Sequence, residues 1–135
     1  MANFRAPGGF FKAGRFSVKS VWPFRRALVQ GDSMAPTFRD GDHILVKMFS
    51  SVELDLPLLS VVLIEREAQP GIFYVKRIQK AHSGAYWVEG DNRDPEIQER
   101  MSDSRTWGYV QAHEIRGRVL LKIGSVRKRA KEKKK

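Results

Sequence analysis

The chain has no cysteine and no run of apolar residues approaching the ~20 that would span a bilayer as a helix. The first absence excludes disulfides, thiol catalysis and Cys-ligated metal, and leaves the redox compartment open. The second argues against a membrane-spanning helix. The N-terminus also lacks the continuous apolar core of a secretory signal, because its aromatics are broken up by charges. Acidic residues are missing from the first 26 positions, which carry six Lys or Arg, and almost missing from residues 127–135, where seven Lys or Arg face Glu132 alone. Each end is therefore +6, and the total of +10 leaves −2 for residues 27–126. The basicity belongs to the termini. A dedicated nucleic-acid binder places its cations on a folded face, so no specific nucleic-acid partner is expected. The tail reads as a solvated, disordered terminus or as a peripheral contact with an anionic membrane or RNA. Phe10, Phe11, Phe16, Trp22 and Phe24, interleaved with cations, fit either a membrane-interface arm or one that packs as a strand.

What remains is enough for one domain around one core, since 135 residues leave little room for a second. The expected organisation is a basic arm over 1–26, a folded domain over 27–125 and a basic tail over 126–135. Apolar, β-branched runs at 27–29, 43–48, 61–65, 72–78, 85–88 and 119–123 predict short strands. Pro70-Gly71 and Ser83-Gly84 mark turns, the second closing a hairpin. A Gly- and Asp-rich loop is expected over 90–108, with a short helical turn near 112–115. No internal repeat and no long helical period is present. The pattern predicts an all-β fold, a compact coiled β-sheet barrel.

Gly31-Asp32-Ser33-Met34-Ala35-Pro36-Thr37 lies between two strands, and its Gly and Pro predict a tight, exposed turn presenting one Ser hydroxyl. A Ser is a poor nucleophile without a base, and taken alone this one reads as a structural turn residue. His43, His82 and His113 have no spacing that pairs them with it. Lys76 falls inside an apolar strand between Val75 and Ile78, where an amine is either desolvated, with its pKa lowered into the working range of a base, or turned to solvent.

Taken together, these segments resemble the signal peptidase I family in several ordered blocks. Gly31 to Thr37 is similar to its nucleophile box, Asp40-Gly41-Asp42-His43-Ile44-Leu45-Val46 to the strand that follows, and Tyr74-Val75-Lys76-Arg77-Ile78 to its lysine box. Gly90-Asp91-Asn92-Arg93, Ser102-Asp103-Ser104-Arg105 and Trp107-Gly108 resemble its C-terminal box, with Ile115-Arg116-Gly117-Arg118 after it. The resemblance covers about residues 27–123. It implies a signal peptidase/LexA-like catalytic core working as a serine endopeptidase, with Ser33 as nucleophile and Lys76 as general base. Gly31, Asp32 and Met34 would shape the nucleophile turn and its oxyanion site. Arg77, Ser102, Asp103 and Arg105 would support the site, the last two as an ion pair. No metal and no cofactor is implied.

Three departures from the family pattern stand out. Gly31 replaces the residue that in many members supplies an oxyanion hydroxyl. Met101 replaces a Ser that orients the lysine, with Ser102 as the neighbouring substitute. The family's membrane helix and second β-domain have no counterpart, which implies a soluble cytoplasmic or organellar core touching membranes only at the periphery. The expected substrate is a precursor protein losing an N-terminal extension, as in maturation of nickel-type superoxide dismutase or signal peptide processing. The alternatives are a self-cleaving protein of the repressor type, for which Ala13-Gly14 is a suitable bond, and a β-barrel binding module without activity.

Overall fold

The computed structural model describes residues 3–5, as backbone, and residues 23–126. Phe10, Phe11, Phe16, Trp22, the Ala13-Gly14 bond and the 127–135 tail lie outside the described residues.

The strands are β1 (Asn3–Arg5), β2 (Phe24–Leu28), β3 (Asp42–Met48), β4 (Val61–Glu65), β5 (Ile72–His82), β6 (Ala85–Glu89), β7 (Val110–Gln111) and β8 (Ile115–Ser125). They form one antiparallel, curled sheet in the order β2-β3-β8-β4-β5-β6-β7, with β1 added to β5. The fold is all-β, as the alternation of short apolar runs and turns predicts. Ser83 and Gly84, both at positive φ, form the hairpin turn between β5 and β6, and Gly71 at φ 87° turns the chain into β5.

Three differences from the sequence reading have local causes. β2 starts at Phe24, before the expected 27, because Phe24, Arg25 and Arg26 pair with Lys47, Val46 and Leu45 despite their charge. The last strand runs from 115 to 125, its cations facing outward while Ile115, Gly117 and Val119 are buried. The 90–108 loop holds two short helices, α1 (Pro95–Arg100) and α2 (Ser104–Trp107). Each starts at an Asp: the Asp94 side chain accepts the Glu96 N–H, and that of Asp103 accepts the Arg105 N–H.

Two apolar clusters hold the sheet, and β4 joins them. Val61 and Leu63 pack with Ala27, Met34, Ile44 and Val75, whereas Val62 and Ile64 pack with Tyr74, Ile78, Tyr86 and Val88. A strand buried on both faces reads as a continuous apolar run, as Val61-Val62-Leu63-Ile64 does. The register that results sets Lys76 opposite Val62, deep in the molecule.

Candidate functional site

The Ser33 turn is exposed at Asp32, Pro36 and Thr37, as its Gly and Pro content suggests, but the serine itself is not. Ser33 and Met34 are both 0% exposed. Met34 is drawn into the core beside Val29, Phe38 and Val75, and that anchorage carries the adjacent Ser inward. Gly31, at φ 86°, makes the bend that a side chain would resist, and its N–H donates to Asp40 Oδ1 at 2.7 Å. Asp32 and Thr37 remain at the surface.

β5 delivers Lys76 to this turn. Its Nζ donates to Ser33 Oγ at 2.8 Å, a contact between residues 43 apart in sequence. Lys76 is also 0% exposed. Burial pushes its amine down from the usual 10.5 to about 8; Asp103 opposes that shift and Arg105 adds to it. An ammonium needs three acceptors, and Ser33 Oγ is the one that Nζ reaches among the described residues. Desolvation and the shortage of acceptors both favour the neutral amine.

Asp103 and Arg105 lie behind the lysine as an ion pair. Arg105 Nη2 donates to Asp103 Oδ2 at 2.7 Å and Nε to Oδ1 at 3.2 Å, and Asp103 Oδ2 also takes the Gly90 N–H at 3.1 Å. Burial works against the carboxylate, but the bonds from Arg105 and Gly90 outweigh it and hold its pKa below the ordinary Asp value. Met101 is buried, and its Sδ accepts from Arg105 Nη2 at 3.2 Å, so it packs against the ion pair without offering a hydroxyl. The structure does not bring Ser102 to the lysine: it is half-buried, and no hydrogen bond joins it to Lys76.

Arg77 points to the other side of β5. It binds both oxygens of Asp91, Nε at 2.9 Å and Nη2 at 2.7 Å, while Nη1 reaches the Leu59 carbonyl at 2.8 Å. Asp91 Oδ2 also accepts from Thr37 Oγ1 at 2.7 Å. One carboxylate therefore ties the lysine strand to the serine turn. Asn92 supplies a second tie: its N–H donates to the Ser33 carbonyl at 2.9 Å and its Nδ2 to the Asp32 carbonyl at 2.8 Å. Gly90 completes the contact, since a Cβ there would stand 2.6 Å from the Ser33 carbonyl oxygen and closer still to Met101 Sδ. Gly90, Asp91, Asn92 and Thr37 stand in the blocks quoted from the sequence, but no role was assigned to any of them there.

The three histidines stay away from Ser33. His113 pairs with Glu67 at 3.0 Å on the surface, His82 ends β5 near Tyr109, and His43 lies on the outer side of β3. No group of three His, Asp or Glu among the described residues is placed to hold a metal. No helix among them is long and apolar enough to cross a membrane.

Comparison with known proteins gives the family. The family described as Peptidase S24-like matches residues 26–120, well over half of the chain. The chain is 27% identical over 116 residues to a mitochondrial inner membrane protease subunit 1 of Xenopus tropicalis. That match covers 71% of this chain and 66% of the relative's own length. On its matched fold and blocks, the chain belongs to the peptidase S24-like family, in line with the signal peptidase I resemblance of its sequence.

Proposed function

We propose that this protein is a serine endopeptidase in which Ser33 is the nucleophile and Lys76 its general base. The observation that carries the reading is the buried 2.8 Å contact between Lys76 Nζ and Ser33 Oγ, made by an amine whose pKa is lowered to about 8. With the amine neutral, the polarity of that contact reverses and the Ser33 O–H donates to the nitrogen lone pair.

The chemistry follows from that arrangement. Oγ bonds to the scissile carbonyl carbon as its proton passes to Nζ, giving a tetrahedral oxyanion. Collapse breaks the C–N bond, and the Lys76 ammonium returns the proton to the departing amine. Lys76 then deprotonates a water that attacks the Ser33 ester, and Ser33 Oγ leaves with the proton. Gly31 offers no hydroxyl to the oxyanion, which rests on backbone N–H donors of the turn, that of Ser33 first. Asp91, Asn92 and the Asp103–Arg105 pair keep the two reacting groups in register.

The substrate class that fits is the N-terminal extension of a precursor, cut after a small residue, such as the leader of a nickel-type superoxide dismutase or a signal peptide. A second reading rests on β1. Its pairing of Asn3 with Tyr74 and Arg5 with Ile72 puts the chain's own N-terminal segment on the strand that carries Lys76, which supports self-processing of the arm. Intact-mass measurement of purified protein beside its Ser33→Ala variant, alone and with precursor peptides, tests both. Cleavage by the parent and none by the variant supports the dyad, while equal cleavage by both overturns it.

A further inference from the structure

Lys76 is delivered by a strand that has one edge open to an added chain. On one side, β4 pairs with β5 over residues 73–77. On the other, β6 joins only from Arg77 onward. Ahead of Arg77, that second edge is met by β1 alone among the described residues, with Asn3 opposite Tyr74, Phe4 opposite Phe73 and Arg5 opposite Ile72. The backbone of β1 also comes close to β2, the strand that leads into the Ser33 turn. β1 therefore lies between the two strands that bring Ser33 and Lys76 together. Both residues are 0% exposed, whereas attack on a peptide needs its carbonyl carbon within about 3–3.5 Å of Oγ. This arrangement is closed to substrate.

We propose that β1 is an internal competitor for the cleavage site: it fills the edge of β5 beside Lys76 along which an extended precursor segment must lie, and cleavage waits on its departure. As a control on cleavage this rests on the Ser33–Lys76 reading; as occupancy of the edge it can be read by binding alone. An extended peptide added to a sheet edge is held by main-chain hydrogen bonds, so β1 and a precursor strand compete for the same backbone groups. β1 is antiparallel to β5, and its amino end points toward Lys76. It takes the place of chain that follows a scissile bond, so it blocks the edge in the manner of a bound product. Three paired residues make a weak hold, and eighteen residues separate β1 from β2, enough chain for β1 to leave while β2 stays in place. The apparent affinity for a precursor falls in proportion to the fraction of molecules whose edge is open.

A reversible cross-link tests this in the full chain, which has no cysteine of its own. Arg5→Cys with Ile72→Cys joins a directly opposed pair, whose spacing suits a disulfide. The probe is a labelled peptide of residues 1–8, read by fluorescence anisotropy in a Ser33→Ala background. The reduced protein should bind it and the oxidised protein should not. Deleting residues 1–5 should tighten binding at least about tenfold, which corresponds to an edge open in about one molecule in ten. With Ser33 present, the oxidised protein should not cleave precursor peptides and the reduced one should match the parent, while the truncated one should have KM lowered about tenfold at a similar kcat. Failure of the pair to cross-link, or equal probe binding by the oxidised and reduced forms, overturns the assignment. So does loss of the arm by a cleavage that Ser33→Ala prevents. The expected binding pattern with no cleavage by any form keeps β1 on the edge and sinks the endopeptidase reading instead. The cross-link decides alone where the truncated chain fails to fold.

Discussion

Replacing Lys76 by Met should make the protein more stable at neutral pH. The buried amine has its pKa lowered from 10.5 to about 8. Folding at pH 7 therefore carries the cost of keeping it protonated without water, about 3 kcal/mol at 1.36 kcal/mol per pKa unit. Met fills a similar volume with an apolar chain. The substitution also removes the one bond from Nζ to Ser33 Oγ, which gives back about 1–2 kcal/mol. The net gain is about 1–2 kcal/mol, a rise in melting temperature of about 5 °C for a domain of this size. The pH dependence supplies an independent check. The folded-state pKa is depressed, so between pH 8 and 10.5 the unfolded chain binds more protons than the folded one, and parental stability rises with pH across that window. Lys76→Met lacks this rise, so its advantage at pH 7 should shrink as the pH approaches 10. Urea unfolding of both proteins at several pH values measures it. A Met variant less stable than the parent at pH 7, with a difference constant to pH 10, would refute the claim that burial dominates at this lysine.

Gly90→Ala should cost about 1–3 kcal/mol and most of the activity, because the added methyl meets the Ser33 carbonyl oxygen, which is backbone and cannot swing away; chemical unfolding and peptide cleavage read the two effects. Asp91→Ala should destabilise by about 1–3 kcal/mol, since it strips the partly buried Arg77 of its bidentate acceptor and frees Thr37. Arg77→Lys should recover part of the parental stability but not all, because an ammonium cannot span both carboxylate oxygens. At the acid end, Asp91, Asp103 and Glu114 all have pKa values held below their ordinary range. The stability they contribute is present above the ordinary carboxylate pKa and is lost as pH falls through the depressed folded values. Asp103→Asn should therefore flatten the acid limb of a melting-temperature profile.

Much of the fold was legible because its strands announce themselves. The doubly buried Val61-Val62-Leu63-Ile64, the apolar, β-branched run at 43–48 and the Ser83-Gly84 turn each carry a local signal that tertiary packing reinforces. The ends were less legible. Phe24 to Arg26 looked like part of a charged arm, and only pairing with β3 makes a strand of it. In β8 the apolar stretch 119–123 was legible, whereas the start of the strand was not, because Arg116 and Arg118 alternate with a Gly117 that fills a buried position. α1 and α2 are too short for helical periodicity to register, and only their Asp caps signal them. In the site, Ser33 and Lys76 stood out through the ordered blocks in which they occur. No local property of either residue shows that a chain separation of 43 closes to 2.8 Å. The burial of Ser33 was misread because Gly and Pro report the bend of a turn, not the side of the bend taken by Met34. The Arg77–Asp91–Thr37 and Asn92 ties cross the sheet and have no one-dimensional signature.

The most direct test of the Ser33–Lys76 assignment is the pH dependence of precursor-peptide cleavage by the parent and by Lys76→Arg. The dyad predicts that parental kcat/KM rises with pH along a limb with an apparent pKa near 8, the value burial gives the amine. It also predicts that Lys76→Arg is inactive throughout, because a guanidinium in place of the amine cannot release its proton in this range. A Lys76→Arg enzyme that cleaves at near-parental rates along the same limb would contradict it, and would move the base to another group.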